Sequence, residues 1–576
     1  MKRILTYLSA YKKEAVLAPL FKLLEAVFEL FVPLVMAQII DIGIGTGDYA
    51  HVAKMGAILA ALAIIGLSVS VTAQFFAAKA AVGTGTALRQ ALFDHIMDLD
   101  YTRIDRTGTS TLITRMTSDI NQVQSGINMT LRLFLRSPII VLGASIMAFT
   151  IDVRSALIFL AAVPLLTLVV ALITKISLPL YRKVQGALDN VLLSTRENLT
   201  GARVLRAFRQ EEAEKARFSD KNAALVALQM HVGRIGALMN PLTLIIVNGA
   251  VIYLIYTGAL RVNAGILTQG QVVALINYMS QILVELIKLA NLIVLMTKAA
   301  ACAQRISDVL ATENKEDDNP APGAVANAPY LVFDRVSLTY AGAGAEALSD
   351  LSFTAEKGQT IGIIGGTGSG KTSLVNLLAG FYPATSGGIY LEGTNLRDTD
   401  PALLRRKVGI VPQKAVLFGG TVRSNLLWGN PDADDETLWR ALRMAQAEEI
   451  VRGKEGQLDA EVAQGGRNFS GGQKQRHTIA RALAADPEIL ILDDSASALD
   501  YLTESRLRAE IASLKETTVF IVSQRASSIM AADKILVLDD GHLAGMGTHR
   551  ELLESCGIYR EIYETQFETA GKEAAV

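Results

Sequence analysis

The most chemically specific stretch of the sequence is a glycine-rich segment that lies between an apolar, strand-like run (361–364) and a helix-like run beginning with Ser373. It reads Gly365-Gly366-Thr367-Gly368-Ser369-Gly370-Lys371-Thr372. This is the GxxxxGK[ST] pattern of a phosphate loop in the strand-loop-helix setting that the chemistry requires. Glycines let backbone N–H groups wrap around phosphates, Lys371 reaches the β- and γ-phosphates, and the Thr372 hydroxyl binds Mg²⁺. The segment therefore predicts a nucleotide site.

Two further segments supply groups that such a site needs. An apolar, strand-like run (489–492) ends in Asp493, and a carboxylate at the end of a buried strand is the expected partner of the phosphate-loop Mg²⁺. A serine-glycine turn (468–473) precedes a helix predicted over Lys474–Ala484. The first N–H groups of a helix have no partner within the helix, so this N-terminus is a second anion site. One domain thus carries two phosphate-binding surfaces.

The composition places the other half of the chain in a membrane. Hydrophobic residues make up 51% of the 576 residues and charged residues only 19%, whereas an ordinary soluble domain has about 25% charged residues. Almost all of the long apolar segments lie in the first half, and six of them are long enough to span a bilayer. They run roughly Ala15–Ile40, Met55–Ala78, Leu135–Ile151, Ala156–Ile173, Leu242–Leu260 and Gln271–Leu295.

Charge and cysteine content exclude several other classes. The net charge of −1 creates no field that would attract nucleic acid. The two cysteines, Cys302 and Cys556, are too far apart in sequence to indicate a disulfide framework or a metal-ligand cluster. We also expect no cleavable signal, because the first apolar segment is too long for one.

These patterns predict a fold class and a domain order. We expect a membrane domain of six transmembrane helices with long cytoplasmic extensions over residues 1–312, followed by a proline- and alanine-rich linker over 313–329. An α/β phosphate-loop nucleotide-binding domain should occupy residues 330–576. Arginine and lysine are concentrated in the connections between the second and third and between the fourth and fifth spans. The positive-inside rule therefore places the nucleotide-binding domain and both termini in the cytoplasm.

Those two connections have the pattern of helical arms. A pair of roughly 20-residue helices would project about 30 Å beyond the bilayer, with the tips near Asp105–Ser118 and Asn198–Phe208. Two interpretations are open from the residues alone. The tips touch another part of the protein, or the arms are simply solvated coiled helices.

Ionisable residues inside the predicted spans form two clusters. Lys22, Glu25 and Glu29 share one face of the first helix, and Glu285 and Lys288 share a face of the sixth. Charge inside a bilayer normally faces protein or water. These residues are thus expected either on a polar cavity open to substrate or in a structural ion-pair network between helices.

The ordered motifs resemble those of the ATP-binding cassette (ABC) transporters, in particular bacterial half-transporters of the heterodimeric multidrug-exporter type, over nearly the whole chain. The resemblance implies ATP and Mg²⁺ as cofactors, and a bacterial plasma (inner) membrane location with several passes through the lipid bilayer. It implies amphipathic small molecules, drugs or lipids, as substrates. It also implies that two nucleotide domains meet head to tail, with each ATP between the phosphate loop of one and the signature turn of the other.

The resemblance further implies roles for individual positions. Tyr340 is similar to the aromatic that stacks on adenine, Gln413 to the glutamine that contacts Mg²⁺ and the attacking water, and Asp500 to the loop that links the two sites across the dimer. The signature, with Phe469 before it in place of the more usual leucine, would act on ATP held by the partner; it consists of Ser470, Gly471, Gly472 and Gln473. Thr372, Gln413 and Asp493 would surround the metal, and Ser373 would join the nucleotide-binding loop.

Two positions depart from the family pattern. Asp494 stands where the family normally has a catalytic glutamate, and its carboxylate falls roughly 1.3–1.5 Å short, a misplacement that can cost about a hundredfold in rate. Gln524 stands where a histidine normally contacts the γ-phosphate, and it cannot become cationic. We therefore expect weak hydrolysis at this site and a sister half-transporter with the intact glutamate and histidine. The alternatives are a slow homodimeric exporter and an ATP-gated regulator that does not pump.

Overall fold

The computed structural model describes residues 2–313 and 329–573. They form two compact units: the first comprises the residues up to Asp98 together with 108–313, and the second comprises Leu99–Thr107 together with the residues from 329 onward. The predicted linker over 313–329 falls almost entirely outside the described residues. The exact domain boundaries of the sequence analysis therefore stay a prediction.

The first unit is helical. Its longer elements are continuous apolar helices. One short helix, Tyr101–Thr107, lies between them in the sequence but belongs to the second unit. The helices are α1 Lys2–Leu8, α2 Lys12–Gln38, α3 Tyr49–Asp98, α4 Tyr101–Thr107, α5 Thr109–Thr114, α6 Ile120–Leu133, α7 Arg136–Ile151, α8 Val153–Thr200, α9 Ala202–Ala207, α10 Glu211–Ala237, α11 Met239–Asn263 and α12 Gln269–Leu310.

Among the described residues, six helical stretches are long and apolar enough to cross a membrane, and each contains one predicted span. They are Thr6–Ile44, Tyr49–Asp98, Thr109–Ile151, Val153–Thr200, Glu211–Asn263 and Gln269–Leu310. The second and fourth are 50 and 48 residues long. A helix of about 20 residues is enough to span a bilayer, so both helices extend well beyond it. The predicted membrane-domain class, with long helical extensions, is confirmed.

Local capping explains where two of these helices begin. The chain turns between the third and fourth spans at Asp152, whose carboxylate accepts hydrogen bonds from the backbone N–H (2.8 Å) and hydroxyl (2.7 Å) of Ser155 in the first turn of α8. Arg261 binds the same carboxylate at 2.6 Å. Thr268 and Gln271 form a reciprocal capping box at the start of α12.

The second unit contains a six-stranded and a four-stranded sheet, with orders β12-β11-β3-β10-β9-β6 and β2-β1-β4-β5, and a two-stranded β7-β8 pair. The strands are β1 Leu331–Leu338, β2 Leu348–Ala355, β3 Thr360–Gly365, β4 Ser386–Leu391, β5 Thr394–Asn395, β6 Val408–Val411, β7 Gly420–Thr421, β8 Glu461–Val462, β9 Ile489–Asp493, β10 Thr518–Val522, β11 Lys534–Asp539 and β12 His542–Gly547. The helices are α13 Lys371–Leu378, α14 Pro401–Lys407, α15 Val422–Leu426, α16 Asp435–Met444, α17 Glu448–Arg452, α18 Gly471–Ala484, α19 Tyr501–Ala512, α20 His549–Ser555 and α21 Gly557–Glu573.

The parallel part of the larger sheet positions the site. Strands β3, β10 and β9 are neighbours, with Val522 opposite both Ile363 and Asp493. Their apolar residues are almost completely buried, as expected for a sheet covered on both faces. Because parallel strands end at one edge, the segments that follow β3, β9 and β10 meet there.

The short helix α4 belongs to this second unit. The ring of Tyr101 lies 4.7 Å from that of Phe381, and the Tyr382 hydroxyl donates a hydrogen bond to Asp105. The sequence predicted an arm tip near Asp105–Ser118; the structure has a short helix that begins at Tyr101, where the Asp100 carboxylate accepts a hydrogen bond from the backbone N–H of Arg103 at 2.7 Å. The interpretation of a contacting tip is thus supported at this segment.

Candidate nucleotide site

A polar cavity of about 300 Å³ lies at the carboxyl edge of the parallel strands. It brings together the phosphate loop, the end of β9 and the loop after β10, which are distant in sequence. The lining consists of Glu346, Ala347, Thr367, Gly368, Ser369, Gly370, Lys371, Thr372, Ser373, Gln413, Asp493, Asp494, Val522, Ser523, Gln524, Asp540 and Gly541. Of the predicted loop residues, Gly365 and Gly366 lie just outside this lining.

The phosphate loop has the backbone that its glycines permit. Gly370 adopts φ +95°, and a Cβ at this position would lie 2.8 Å from the carbonyl oxygen of Ala347. A side chain is therefore excluded here by both conformation and contact. Helix α13 begins at Lys371, two residues earlier than the sequence analysis placed it, so its free N–H groups point toward the cavity end of the loop.

Lys371 is held inside its own loop. Its Nζ donates hydrogen bonds to the carbonyl oxygens of Gly365 at 2.8 Å and Gly366 at 2.6 Å. Burial lowers the pKa of Lys371, while the nearby carboxylates of Asp494 and Asp493 oppose that shift. The ammonium group is thus partly desolvated, which strengthens its attraction for a phosphate.

Two adjacent carboxylates face this ammonium. Burial raises the pKa of Asp493, the charge of Asp494 raises it further, and Lys371 acts in the opposite direction. Like charges crowded in a buried site favour a bound cation. Within the part of the chain that the structure describes, no group of three or more His, Cys, Asp or Glu side chains could hold a metal ion. The donor set therefore fits a Mg²⁺ ion that takes most of its ligands from phosphate oxygens and water.

Asp494 occupies an unusual backbone conformation, with φ +46°. Its N–H donates to the carbonyl oxygen of Val522 at 3.0 Å, and its own carbonyl accepts from the Ser497 hydroxyl at 2.9 Å. Gln413 lies close to its carboxylate, while Gln524 exposes its side chain to the same cavity. The two departures from the family pattern thus lie in one site with the phosphate loop.

The signature is placed elsewhere in the unit and does not line this cavity. Ser470 caps α18 and forms a reciprocal capping box with Gln473. The helix consequently begins at Gly471 rather than at the predicted Lys474, since the cap recruits the glycines into the first turn. A Cβ on Gly472 would lie 2.9 Å from the carbonyl oxygen of Ala498, so the signature packs closely against the loop that ends in Asp500.

Tyr340 also lies outside the cavity lining. Its hydroxyl donates to Ser373 Oγ at 3.1 Å and accepts from Asn376 at 3.1 Å, and its ring meets Tyr382 edge-on at 5.1 Å. The side chain is therefore next to the phosphate-loop helix, and its predicted stacking on adenine stays a prediction.

The ionisable residues of the first and sixth predicted spans lie in one group around Arg136 of α7. The guanidinium contacts Glu285 and Glu29 at 2.6 Å each, while Lys288 contacts Glu285 at 2.8 Å. Lys22 Nζ lies 2.5 Å from a carboxylate oxygen of Glu25, and the other carboxylate oxygen of Glu25 lies 3.9 Å from Nε of Arg136. Glu29, Glu285 and Lys288 also line a cavity of about 360 Å³. The predicted ion-pair network between helices is thus present, whereas access of substrate to this cavity stays a prediction.

Sequence reasoning missed several of these residues. Arg136 is the central cation of the network, and the sequence could have indicated it, because it is a charged residue just inside the third predicted span. Glu346 and Asp540 line the nucleotide cavity from loops that carry no motif. Only the sheet topology brings those loops to the phosphate loop.

Six membrane-crossing helices joined in one chain to a phosphate-loop domain define an ATP-dependent membrane transporter of the exporter type. The chain belongs to the ABC transporter family. Residues 16–286 match the family described as ABC transporter transmembrane region, and residues 348–497 match the family described as ABC transporter.

Relatives of the same architecture cover the chain almost end to end. An uncharacterized ABC transporter ATP-binding protein of Mycobacterium tuberculosis is 34% identical over 97% of both chains. YfiB of Bacillus subtilis, an uncharacterized ABC transporter ATP-binding protein, is 34% identical over 100% of both chains. The B. subtilis protein described as "Probable multidrug resistance ABC transporter ATP-binding/permease protein YheI" is 33% identical over 83% of this chain and 82% of its own.

A solved structure of a bacterial Atm1-family ABC exporter with ATP bound is similar to the whole chain. It superposes with a TM-score of 0.80 at 25% sequence identity, and the match covers 97% of this chain and 99% of that one. The predicted fold class is thereby confirmed for both domains together. The family accounts for ATP-coupled transport across a membrane.

Proposed function

We propose that the chain is one half of a heterodimeric exporter that uses ATP to move amphipathic drugs or lipids across a bacterial plasma membrane by alternating access. Its sister would be a homologous chain with the normal catalytic glutamate and switch histidine. This chain would hold ATP in its own cavity with slow turnover, while its signature completes the sister's site.

The observation that carries the proposal is which of these residues line the nucleotide cavity of the second unit and which do not. Asp494 and Gln524 share a cavity with Lys371, whereas the signature residues from Ser470 to Gln473 are not part of its lining. Weakness would therefore be confined to the ATP on this chain's own phosphate loop. A homodimer would contain two weakened sites, which suits a pump poorly.

Other features support the remaining parts of the proposal. Thr372, Gln413 and Asp493 all line the cavity, as holders of Mg²⁺ with ATP should. When bound, the ion would neutralise phosphate charge, and Lys371 would orient the phosphate tail. The multidrug description of the relative YheI supports an amphipathic substrate. The excess of basic residues in the arms supports cytoplasmic termini and a cytoplasmic nucleotide domain.

Co-purification tests the pairing. The tagged chain is expressed with and without a homologous half-transporter of the same genome that has the normal glutamate and histidine, and the purified complexes are separated by size. We expect a stable complex of the two different chains with high ATP turnover. A stable, active complex of this chain alone would overturn the heterodimer and support the slow homodimeric exporter.

Reconstitution tests the transport. Complexes in lipid vesicles are given Mg-ATP and an amphipathic fluorescent dye, and dye accumulation is compared with ATP consumed. We expect accumulation in proportion to ATP hydrolysis, which stops when Lys371 and the sister's equivalent lysine are replaced by alanine. ATP binding without any accumulation would support the ATP-gated regulator instead.

A further inference from the structure

The loop after β10 is held by the last helix of the described chain. The side-chain amide of Gln566, in α21, donates from Nε2 to the carbonyl oxygen of Gln524 at 2.7 Å. Its Oε1 accepts from the backbone N–H of Ala526 at 2.8 Å. One amide thus satisfies a carbonyl and an N–H two residues apart, which fixes the intervening backbone in two directions.

The clamp leaves the side chain of Gln524 free. That side chain is exposed and lines the nucleotide cavity, while Gln566 is outside the lining. The backbone from which the Gln524 amide extends is therefore fixed by a residue that does not itself meet the nucleotide. A shift of about 1 Å in such a group is enough to change a rate substantially.

Helix α21 is firmly seated, so it can serve as a reference point. Tyr559 is fully buried in a cluster with Ile364, Ala526 and Ile529, and its hydroxyl lies 2.7 Å from His549 Nδ1. Ile364 directly precedes the phosphate loop on β3. The same packing therefore relates α21 to the phosphate loop and to the loop that carries Gln524.

The far side of the Gln524 loop has a separate anchor. Glu504 of α19 is 2% exposed and accepts from the Ser528 hydroxyl at 2.6 Å and from Arg525 at 3.4 Å. Glu504 thus secures the later part of the loop. Of these two anchors, Gln566 is the one that contacts Gln524 itself.

We propose that Gln566 is a positioning residue through which α21 fixes Gln524 opposite the phosphate loop. It thereby sets the rate at which ATP bound to this chain loses its γ-phosphate. The proposal rests on the proposed function, which assigns ATP to this cavity. Because Gln566 is outside the cavity lining, its loss should slow cleavage without weakening nucleotide binding.

Two variants separate the clamp from general packing. Gln566→Glu has nearly the same shape and keeps the acceptor for Ala526, but it turns a carboxylate toward the carbonyl oxygen of Gln524. Gln566→Ala removes both hydrogen bonds. Glu564→Gln, an exposed change on the same helix, is the matched control.

The complex with its sister chain is loaded with Mg²⁺ and 8-azido-ATP that is labelled in either the α- or the γ-phosphate. Unlabelled ATP is then added for increasing times, and light cross-links the nucleotide that is still bound. The chains are then separated on a gel, and the γ-to-α label ratio on this chain gives cleavage at its own site. We expect both Gln566 variants to slow γ-label loss by about fivefold, with α-label within about twofold of wild type. Glu564→Gln should match wild type.

Wild-type γ-label loss in Gln566→Glu overturns the positioning role. Equal loss of α- and γ-label in both variants also overturns it, since that pattern indicates damaged nucleotide binding. Neither result affects the dye-transport experiment, which tests the proposed function by a separate readout. The two proposals can therefore fail independently.

Discussion

The side-chain amide of Gln413 lies 3.4 Å from Oδ2 of Asp494, across the nucleotide cavity. The separation is long for a hydrogen bond, so the carboxylate is only loosely held. One methylene more, as in a glutamate, would carry the carboxylate further into the cavity. The slow hydrolysis proposed for this site would thus depend on the length of one side chain.

Replacing Asp494 with asparagine should change the ATP turnover of the two-chain complex by less than about twofold. In the proposed heterodimer this carboxylate would contribute little, because the rate would be set at the sister's site. Replacing the sister's equivalent glutamate with glutamine should lower turnover at least about a hundredfold. Steady-state phosphate release measures both. Equal losses from the two changes would contradict the division of labour.

Replacing Lys371 with alanine should weaken ATP binding to this chain at least about tenfold. A partly buried ammonium on the phosphate loop is lost, and charge-assisted hydrogen bonds are the strong ones. Filter binding or photolabelling of this chain gives the affinity. Lys515→Ala, which removes an exposed lysine of the same unit, should bind ATP normally. Unchanged binding in the Lys371 variant would argue against this cavity as the ATP site.

Local sequence predicted most of this site, because its main elements are continuous in the chain. The phosphate loop and Asp493 each follow a short apolar strand, and such patterns directly indicate parallel strands that end at one edge. Glu346, Asp540 and Gln566 have no such local signal. Their roles depend on distant segments meeting in the fold, so only the structure could identify them. The sequence analysis began two helices two or three residues later than the structure does, at Ser373 and Lys474 instead of Lys371 and Gly471. Helix caps draw neighbouring glycine and polar residues into the first turn, and the apolar pattern does not include those residues.

Replacing Arg136 with methionine should destabilise the membrane unit by about 3–5 kcal/mol, because it leaves buried carboxylates without their cation. Glu285 is 3% exposed and would lose its 2.6 Å contact. Thermal unfolding of the full chain in detergent, followed by light scattering, measures the loss of stability. Lys215→Ala is the control, since the Lys215–Glu212 pair is 72% and 86% exposed and should contribute little to stability. Equal midpoints for the two variants would contradict a structural network.

The signature helix contains a buried histidine that is neutral in the folded protein. His477 is 1% exposed, its Nδ1 lies 2.7 Å from the carbonyl oxygen of Gln473, and its ring meets Phe469 edge-on. Burial lowers the pKa of His477 to about 4, with the nearby arginines and lysine acting in the same direction. The unfolded chain has an ordinary histidine pKa of about 6.5. Folding is therefore linked to pH between these two values.

Stability of α18 should fall as the pH falls from about 6.5 toward 4, because the unfolded helix binds a proton that the folded one does not. Above about pH 6.5 the neutral form of His477 predominates in the unfolded chain too, so the folded state has its full stability there. Between pH 7 and pH 5 the loss should be about 2 kcal/mol. Amide hydrogen exchange of residues 471–484 in the full chain measures the opening free energy. His477→Asn keeps a donor toward the carbonyl oxygen of Gln473 but does not titrate, so its exchange should lack this pH dependence. An identical dependence in the variant would assign the effect to other groups.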